Sequence, residues 1–177
     1  MKSLTQSEIN TLLSKTQGQI KAMILLGFRH GMRASEICGL ARQDVNLENG
    51  TITIRRLKNS HKTTQTLNQE EKQSLQRIME KNAAWRSQYV FLMRNGSKIR
   101  RETLGRWFKQ ICLQNEISID KAHPHVLKHS LAVAMVKANV SLPIIQRALG
   151  HKSIMSTQVY TQVGDDVASE AIKKVLD

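Results

Sequence analysis

Apolar side chains recur at helical spacing along most of this sequence, and the spacing changes in one stretch. Within "TITIRRLKNSHKTTQTL", Ile52 and Ile54 alternate with threonines, and polar residues separate this run from a second threonine-rich run. Such alternation is typical of half-buried strands, so a β-hairpin is predicted here. Stripes with a period near 3.6 predict helices elsewhere. The predicted fold class is therefore α+β and mainly α-helical, with a small antiparallel sheet at one edge.

Local signals mark where the predicted helices begin and end. Thr5 and Glu8 have the spacing of a capping box, Gly31 suits the left-handed residue that ends the apolar helix "IKAMILLGFRHG", and Gly150 is expected to end the helix before it. The segment "YVFLMRNGSKI" predicts a short strand and then a turn at Asn95 and Gly96. Further helices are predicted over "ASEICGL", Asn68–Asn82, "ETLGRWFKQICLQ", His125–Ala138, Leu142–Leu149, Ile154–Tyr160 and "VASEAIKKVL". Because no linker or repeat divides them, a single domain is predicted over residues 1–177.

The charge balance indicates a polyanionic partner. Lysine and arginine number 27 against 14 acidic residues, which gives a net charge of +13. Aromatic residues make up only 4% of the chain, too few for a platform that stacks single-stranded bases, so double-stranded DNA held by its phosphates is favoured. No apolar run reaches the roughly 18 residues of a membrane span, and the first ten residues lack the pattern of a signal peptide. We therefore expect a soluble cytoplasmic protein without membrane contact.

Six polar side chains lie at predicted element ends or within one helical turn of each other. Taken singly, each has an ordinary structural explanation, such as a core tyrosine or a solvated hairpin lysine. Together they supply three cations, two imidazoles and a phenolic hydroxyl. In chain order they are Arg33, Lys58, His125, Lys128, His151 and Tyr160.

Four motifs around these residues resemble the tyrosine recombinase, or phage integrase, family. They are "HGMRASEICGL", "RRLKNSHKTTQTL", "HPHVLKHS" and "LGHKSIMSTQVY", in that order. The order and spacing match from about Leu4 to Val163, nearly the whole chain. The sequences of these motifs are most similar to those of the short fimbrial phase-variation recombinases, which lack the separate N-terminal DNA-binding domain of larger integrases. The resemblance implies the catalytic-domain fold of this family and a site-specific recombinase.

The resemblance also implies a role for each cation. Arg33 would give two parallel hydrogen bonds to the non-bridging phosphate oxygens. Lys128 would stand beside it as a second cation, and Lys58 would protonate the departing 5′-oxygen. Lys62, on the same hairpin, is the alternative to Lys58, and the spacing to Leu67 favours Lys58. Glu36, one turn after Arg33, would either orient Arg33 or form a surface ion pair with it.

The remaining roles concern proton transfer and the nucleophile. By the same resemblance, His125 would assist proton transfer from the nucleophile, His151 would hydrogen-bond the phosphate, and Tyr160 would attack the phosphorus. The product would be a 3′-phosphotyrosyl link, so strands could be rejoined without ATP, metal or another cofactor. His123 and His129 are expected to serve as helix-start and packing residues, and a zinc site built from them with His125 is the less favoured alternative.

One residue departs from the family pattern. Lys128 stands where the family has arginine, and a lysine makes a point contact where a guanidinium makes a forked one. Losing one charge-assisted hydrogen bond costs roughly 1.5 to 3 kcal/mol, which corresponds to about ten- to a hundredfold in rate. We expect a slow but competent enzyme. A relative that only binds DNA and an engineered change that traps a complex are the alternatives.

Two rival functions use the same residues differently. "SLPIIQRALGHKSIMSTQVY" has the helix, turn and second basic helix of a helix-turn-helix DNA-binding regulator, which needs no tyrosine chemistry. A type IB topoisomerase has a similar active site.

For a recombinase, the reaction requires a homotetramer on two DNA sites, with accessory DNA-bending proteins as further partners. The tail over residues 165–177 would pack either into a neighbouring subunit or onto its own domain.

Overall fold

The computed structural model describes residues 2–56 and 62–151 and shows a mainly helical fold with one small sheet. The predicted fold class is confirmed. Lys58, Tyr160, the predicted helix over Ile154–Tyr160 and the tail over residues 165–177 lie outside the described residues. The helices are α1 (Gln6–Ser14), α2 (Gly18–Arg29), α3 (Ala34–Cys38), α4 (Gln69–Lys81), α5 (Arg101–Gln114), α6 (His125–Lys137) and α7 (Leu142–Leu149), with single 3-10 turns at Arg42–Asp44, Ala83–Trp85 and Ile119–Lys121.

The sheet contains the predicted hairpin and one strand that had no sequence signal. β1 (Val45–Asn46), β2 (Thr51–Ile54) and β3 (Thr63–Thr66) run antiparallel in the order β1-β2-β3. Ile52 and Ile54 point into the core, as their alternation with threonine predicts. β1 is only two residues long, too short to show a period.

The predicted strand in "YVFLMRNGSKI" is wrong. This segment makes only two isolated bridges, Ala41 with Tyr89 and Leu92 with Lys98. Three consecutive side chains, from Val90 to Leu92, are buried, so the segment crosses the core and does not present one face to solvent. The predicted turn is present, because Gly96 has φ +77° and donates its N–H to the Met93 carbonyl.

Helix α2 is the centre of the fold and sets the position of the functional corner. It packs against α4 on one side and α6 on the other, with two apolar clusters around it. α2 and α6 lie close together, since a Cβ at Gly27 would come within 2.7 Å of the Leu127 side chain. The first turn of α6 is thereby held beside the C-terminal half of α2. No helix in the described ranges is long and apolar enough to span a bilayer.

The predicted helix ends are confirmed where the structure describes them. Thr5 caps α1 by accepting from the Glu8 N–H at 3.1 Å, while its own N–H donates to the Glu8 carboxylate at 2.7 Å. Gly31 and Gly150 have φ +57° and +63°, so each adopts the left-handed conformation expected after a helix. These two turns lead directly into the residues of the candidate site.

Candidate active site

The corner between α2, α3, α6 and α7 contains four of the six predicted site residues. Arg33 is the residue before α3, and His125 and Lys128 lie in the first turn of α6. His151 follows the left-handed Gly150 that ends α7. Burial lowers the pKa values of both histidines and of Lys128, and the charge of Arg33 lowers all three further, so the four groups share one electrostatic environment. Lys58 and Tyr160 lie outside the described residues.

Glu36 contacts Arg33 from the protein interior and orients its side chain. The Arg33 guanidinium donates through Nη1 to Glu36 Oε1 at 2.9 Å, and the Arg33 N–H donates to Oε2 at 2.8 Å. The Glu36 side chain is 0% exposed, whereas that of Arg33 is 34% exposed. The alternative of a surface ion pair is therefore wrong. Burial alone would raise the pKa of Glu36, but the Arg33 N–H and the charges of Arg56 and Lys128 hold it below its usual range.

A second arginine, Arg56, also lies in this corner and, unlike Arg33, is fully buried. It was not among the site residues predicted from the sequence. Its Nη1 donates to the Gly31 carbonyl and to Glu36 Oε2, and its Nη2 donates to the carbonyls of His30 and Ala148, all at 2.8 to 3.0 Å. The side chain is 0% exposed. Burial lowers the pKa of its guanidinium, and the Glu36 carboxylate opposes that shift.

The signal that could have identified Arg56 is the strand alternation. Ile52 and Ile54 point inward, and continuing that period of two beyond the end of β2 puts Arg56 on the core face. Two adjacent arginines in a hairpin are more often solvated, and for that reason the inward position of Arg56 was not expected.

Lys128 is buried and points at the end of α7. Its side chain is among the largest fully buried ones, and its Nζ donates to the Leu149 carbonyl at 2.6 Å. Burial, followed by the charges of Arg33 and Arg56, lowers its pKa to about 7. The ammonium therefore gives up its proton far more readily than an ordinary lysine does.

The histidines of the corner are neutral near pH 7. Burial and the charge of Lys128, then that of Arg33, lower the pKa of His151 to about 4, and the same causes lower the pKa of His125. His129 packs its ring edge-on against that of His125, with centroids 4.4 Å apart, and burial lowers its pKa to about 4. A neutral imidazole can accept a proton at one nitrogen and donate one at the other.

The alternative zinc site is not formed. Within the part of the chain that the structure describes, no three His, Cys, Asp or Glu side chains are placed to hold a metal ion. Cys38 and Cys112 are both buried, and burial raises the pKa of their thiols to about 11 and about 12, so neither forms a thiolate easily.

Comparison with known proteins identifies the family of this chain. The phage integrase family matches residues 2–166. The Type 1 fimbriae regulatory protein FimE of Escherichia coli (strain K12) is 32% identical over 167 residues, which cover 89% of this chain and 84% of FimE. FimB of the same strain is 34% identical over 166 residues, covering 89% of this chain and 82% of FimB.

A solved structure shows the same fold. The Tn1549 transposon integrase in complex with transposon right end DNA superposes with a TM-score of 0.87 at 20% identity, over 99% of this chain and 66% of that chain. This protein thus spans about two thirds of the solved integrase. The fold is that of the solved integrase, and the family model matches most of this chain. The chain belongs to the phage integrase family, the tyrosine recombinases.

Proposed function

We propose that this protein is a site-specific recombinase that cuts and rejoins double-stranded DNA through a 3′-phosphotyrosyl link to Tyr160. The observation that carries the proposal is the corner in which Arg33, His125, Lys128 and His151 share one electrostatic environment in a member of the tyrosine recombinase family. A net charge of +13 and the DNA in the related integrase structure support DNA as the substrate.

Arg33 would hold the scissile phosphate. Glu36 occupies one guanidinium nitrogen, Nη1, and the backbone N–H, which leaves the other side of the fork for the non-bridging oxygens. These oxygens gain negative charge as the phosphorus becomes five-coordinate, so a cation fixed beforehand by a buried carboxylate lowers the barrier.

The proton transfers would balance within this set of residues. The Tyr160 oxygen forms a bond to phosphorus as the bond to the 5′-oxygen breaks. The tyrosine proton passes to neutral His125, and Lys58 supplies a proton to the departing 5′-oxygen. His151, also neutral, donates a hydrogen bond to the phosphate. The reverse steps rejoin the strands, because the phosphotyrosyl link conserves the energy of the bond.

Lys128 would limit the rate. Its ammonium already donates to the Leu149 carbonyl, and a pKa of about 7 leaves it only partly charged at neutral pH. An arginine there would stay charged and would have donors to spare for the phosphate. This supports a slow but competent enzyme.

The proposed assembly is a homotetramer on two DNA sites. Strand exchange between two duplexes requires four cleavages, and each protomer supplies one tyrosine. The tail over residues 165–177 is the proposed connection to a neighbouring subunit, and accessory DNA-bending proteins would bring the two sites together. DNA inversion is the proposed outcome, by resemblance to the fimbrial relatives.

The decisive experiment is a search for a covalent adduct with a matched pair of tyrosine variants. The chain contains only two tyrosines, Tyr89 and Tyr160. Wild type and Tyr89→Phe should both form a denaturant-resistant adduct with the DNA that flanks the gene, and Tyr160→Phe should bind that DNA without attachment. Trypsin should leave the DNA joined to the peptide over residues 153–173.

The other outcomes discriminate between the rivals. If no protein forms an adduct although all bind DNA, the helix-turn-helix regulator is supported and the recombinase is rejected. Relaxation of supercoiled plasmid without site preference would support the topoisomerase. In every case DNA binding should weaken steeply with salt, because each phosphate contact releases counterions.

A further inference from the structure

We propose that Arg56 is a positioning residue of the recombination reaction, whose buried guanidinium holds both the carboxylate that orients Arg33 and the end of the helix that leads to His151. This inference rests on the proposed function and concerns a residue outside the six predicted ones. Arg56 precedes Lys58 by two residues in the sequence and lies just beyond the end of β2, so it fixes the end of that strand.

The first contact of Arg56 fixes the setting of Arg33. Glu36 has two carboxylate oxygens, and each has an arginine donor: Oε1 accepts from Arg33 and Oε2 from Arg56. Glu36 cannot turn toward solvent without breaking both bonds. Arg56 also donates to the Gly31 carbonyl, which lies in the left-handed turn two residues before Arg33.

The second contact fixes the end of α7. Arg56 Nη2 donates to the Ala148 carbonyl and Lys128 Nζ to the next carbonyl, that of Leu149. Two buried cations therefore hold consecutive carbonyls at the negative end of a helix. Gly150 follows, and a Cβ there would come within 2.6 Å of Arg56 Nε, so the turn into His151 is packed directly on the guanidinium.

The geometry requires an arginine. Its two Nη atoms reach four oxygens that lie on α3, on α7 and in the turn after α2, and only a planar fork spans them. Arg56 Nε is buried without a partner. An unpaired buried donor is unfavourable, which indicates that the four oxygens determine the pose of this side chain.

The test uses the adjacent arginine as a control. Arg56→Gln and Arg55→Gln remove the same charge from neighbouring positions, but Arg55 is 61% exposed and pairs only with Asp44 in the described structure. Arg56→Lys keeps the charge and removes the fork. For each full-length protein we would measure the adduct-forming rate at saturating protein, the affinity for DNA, and hydrogen exchange over residues 146–151.

The expected result separates rate from binding. Arg56→Gln should lower the adduct-forming rate at least a hundredfold, and Arg56→Lys at least tenfold, while DNA affinity falls no further than in Arg55→Gln. The amides of Gly150 and His151, which donate to carbonyls of α7, should exchange at least tenfold faster in both Arg56 variants. In Glu36→Gln protein, adding Arg56→Gln should lower the rate by less than it does in wild type, because one of the two contacts of Arg56 acts through Glu36 and Arg33.

Either of two results overturns the inference. The first is an adduct-forming rate in Arg56→Lys within twofold of wild type. The second is unchanged exchange at Gly150 and His151, which is measurable even if Arg56→Gln fails to fold, since Arg56→Lys carries the same test. Failure of the proposed function is distinct: wild type itself would form no adduct, and the exchange measurement would still decide whether Arg56 holds the end of α7.

Discussion

Arg55 and Arg56 follow the same strand and form ion pairs in opposite surroundings. Arg55 lies on the outer side and donates three hydrogen bonds to Asp44, with its own side chain 61% exposed. Arg56 lies on the inner side and donates to Glu36 and to three carbonyls, with no exposure. Of two adjacent arginines, Arg55 is thus in contact with water and Arg56 lies in the protein interior.

The difference shows where charge organises a site. Water reaches Arg55 and screens its charge, although its partner Asp44 is only 6% exposed, so this pair should contribute less to folding than the buried cluster does. The buried cluster of Arg33, Glu36, Arg56 and Lys128 carries more positive than negative charge, which is unfavourable unless every group is held by hydrogen bonds. Such a cluster fixes the directions of its side chains and remains ready to receive an anion.

The contrast is tested most strongly by removing the carboxylate of the buried cluster. Glu36→Gln keeps the shape of the side chain but leaves three cations without a counter-charge, so we expect a loss of about 3 kcal/mol or more in the free energy of unfolding. Glu48→Gln, at an exposed carboxylate, is the control. Urea unfolding measures both, and equal midpoints would show that the buried cluster is no more sensitive than the surface.

A second prediction concerns the pH dependence of stability. The pKa of Lys128 is about 7 when folded and has its ordinary value near 10.5 when unfolded. Between these values the unfolded chain holds a proton that the folded chain has released, so stability should rise with pH by up to about 1.4 kcal/mol per unit. The charged and titratable groups around Lys128 are Arg33, Glu36, Arg56, His125, His129 and His151.

Comparing Lys128→Met with Lys137→Met by urea unfolding at about pH 7 and about pH 9 checks this. Lys137 is exposed on the same helix. The rise with pH should vanish only in Lys128→Met, and a rise that persists there would assign it to another group.

A further prediction concerns the effect of Lys128→Arg on the reaction rate. The guanidinium can donate to the Leu149 carbonyl and still direct another N–H at the phosphate, so the adduct-forming rate should increase about tenfold or more. Lys137→Arg is the control on the same helix. If arginine at position 128 brings no gain while the protein stays folded, the lysine is not what limits the reaction.

The smallest effect is expected at the exposed pair. Arg55→Gln should lower the urea midpoint by less than Glu36→Gln does, because a glutamine amide can still donate to Asp44, which is only 6% exposed. A fall in the urea midpoint as large as that of Glu36→Gln would show that the two sides of the strand do not differ in this way.

The sequence predicted the local elements well and the interior charges poorly. The α1 capping box, the hairpin and the glycine ends of α2 and α7 depend on contacts between near neighbours in the chain, which residue spacing reveals. The strand predicted between Tyr89 and Ile99 was wrong because Tyr89 pairs with the distant Ala41 and the three residues after it are all buried, which local spacing does not reveal. The motifs also pointed to Arg33, His125, Lys128 and His151 as one site, and the structure brings these four into one electrostatic environment.

By itself, then, the sequence determined the fold class, the family and the residue types available for phosphate chemistry, since periodicity, capping and motif order are properties of the chain alone. Only the tertiary structure decided that Arg56 belongs to the corner and that Lys128 points at the end of α7. Whether a cation is solvated or buried depends on which distant backbone carbonyls packing brings to it. Burial also lowers its pKa, and spacing along the chain indicates at most which face a side chain is on, not which distant groups it meets.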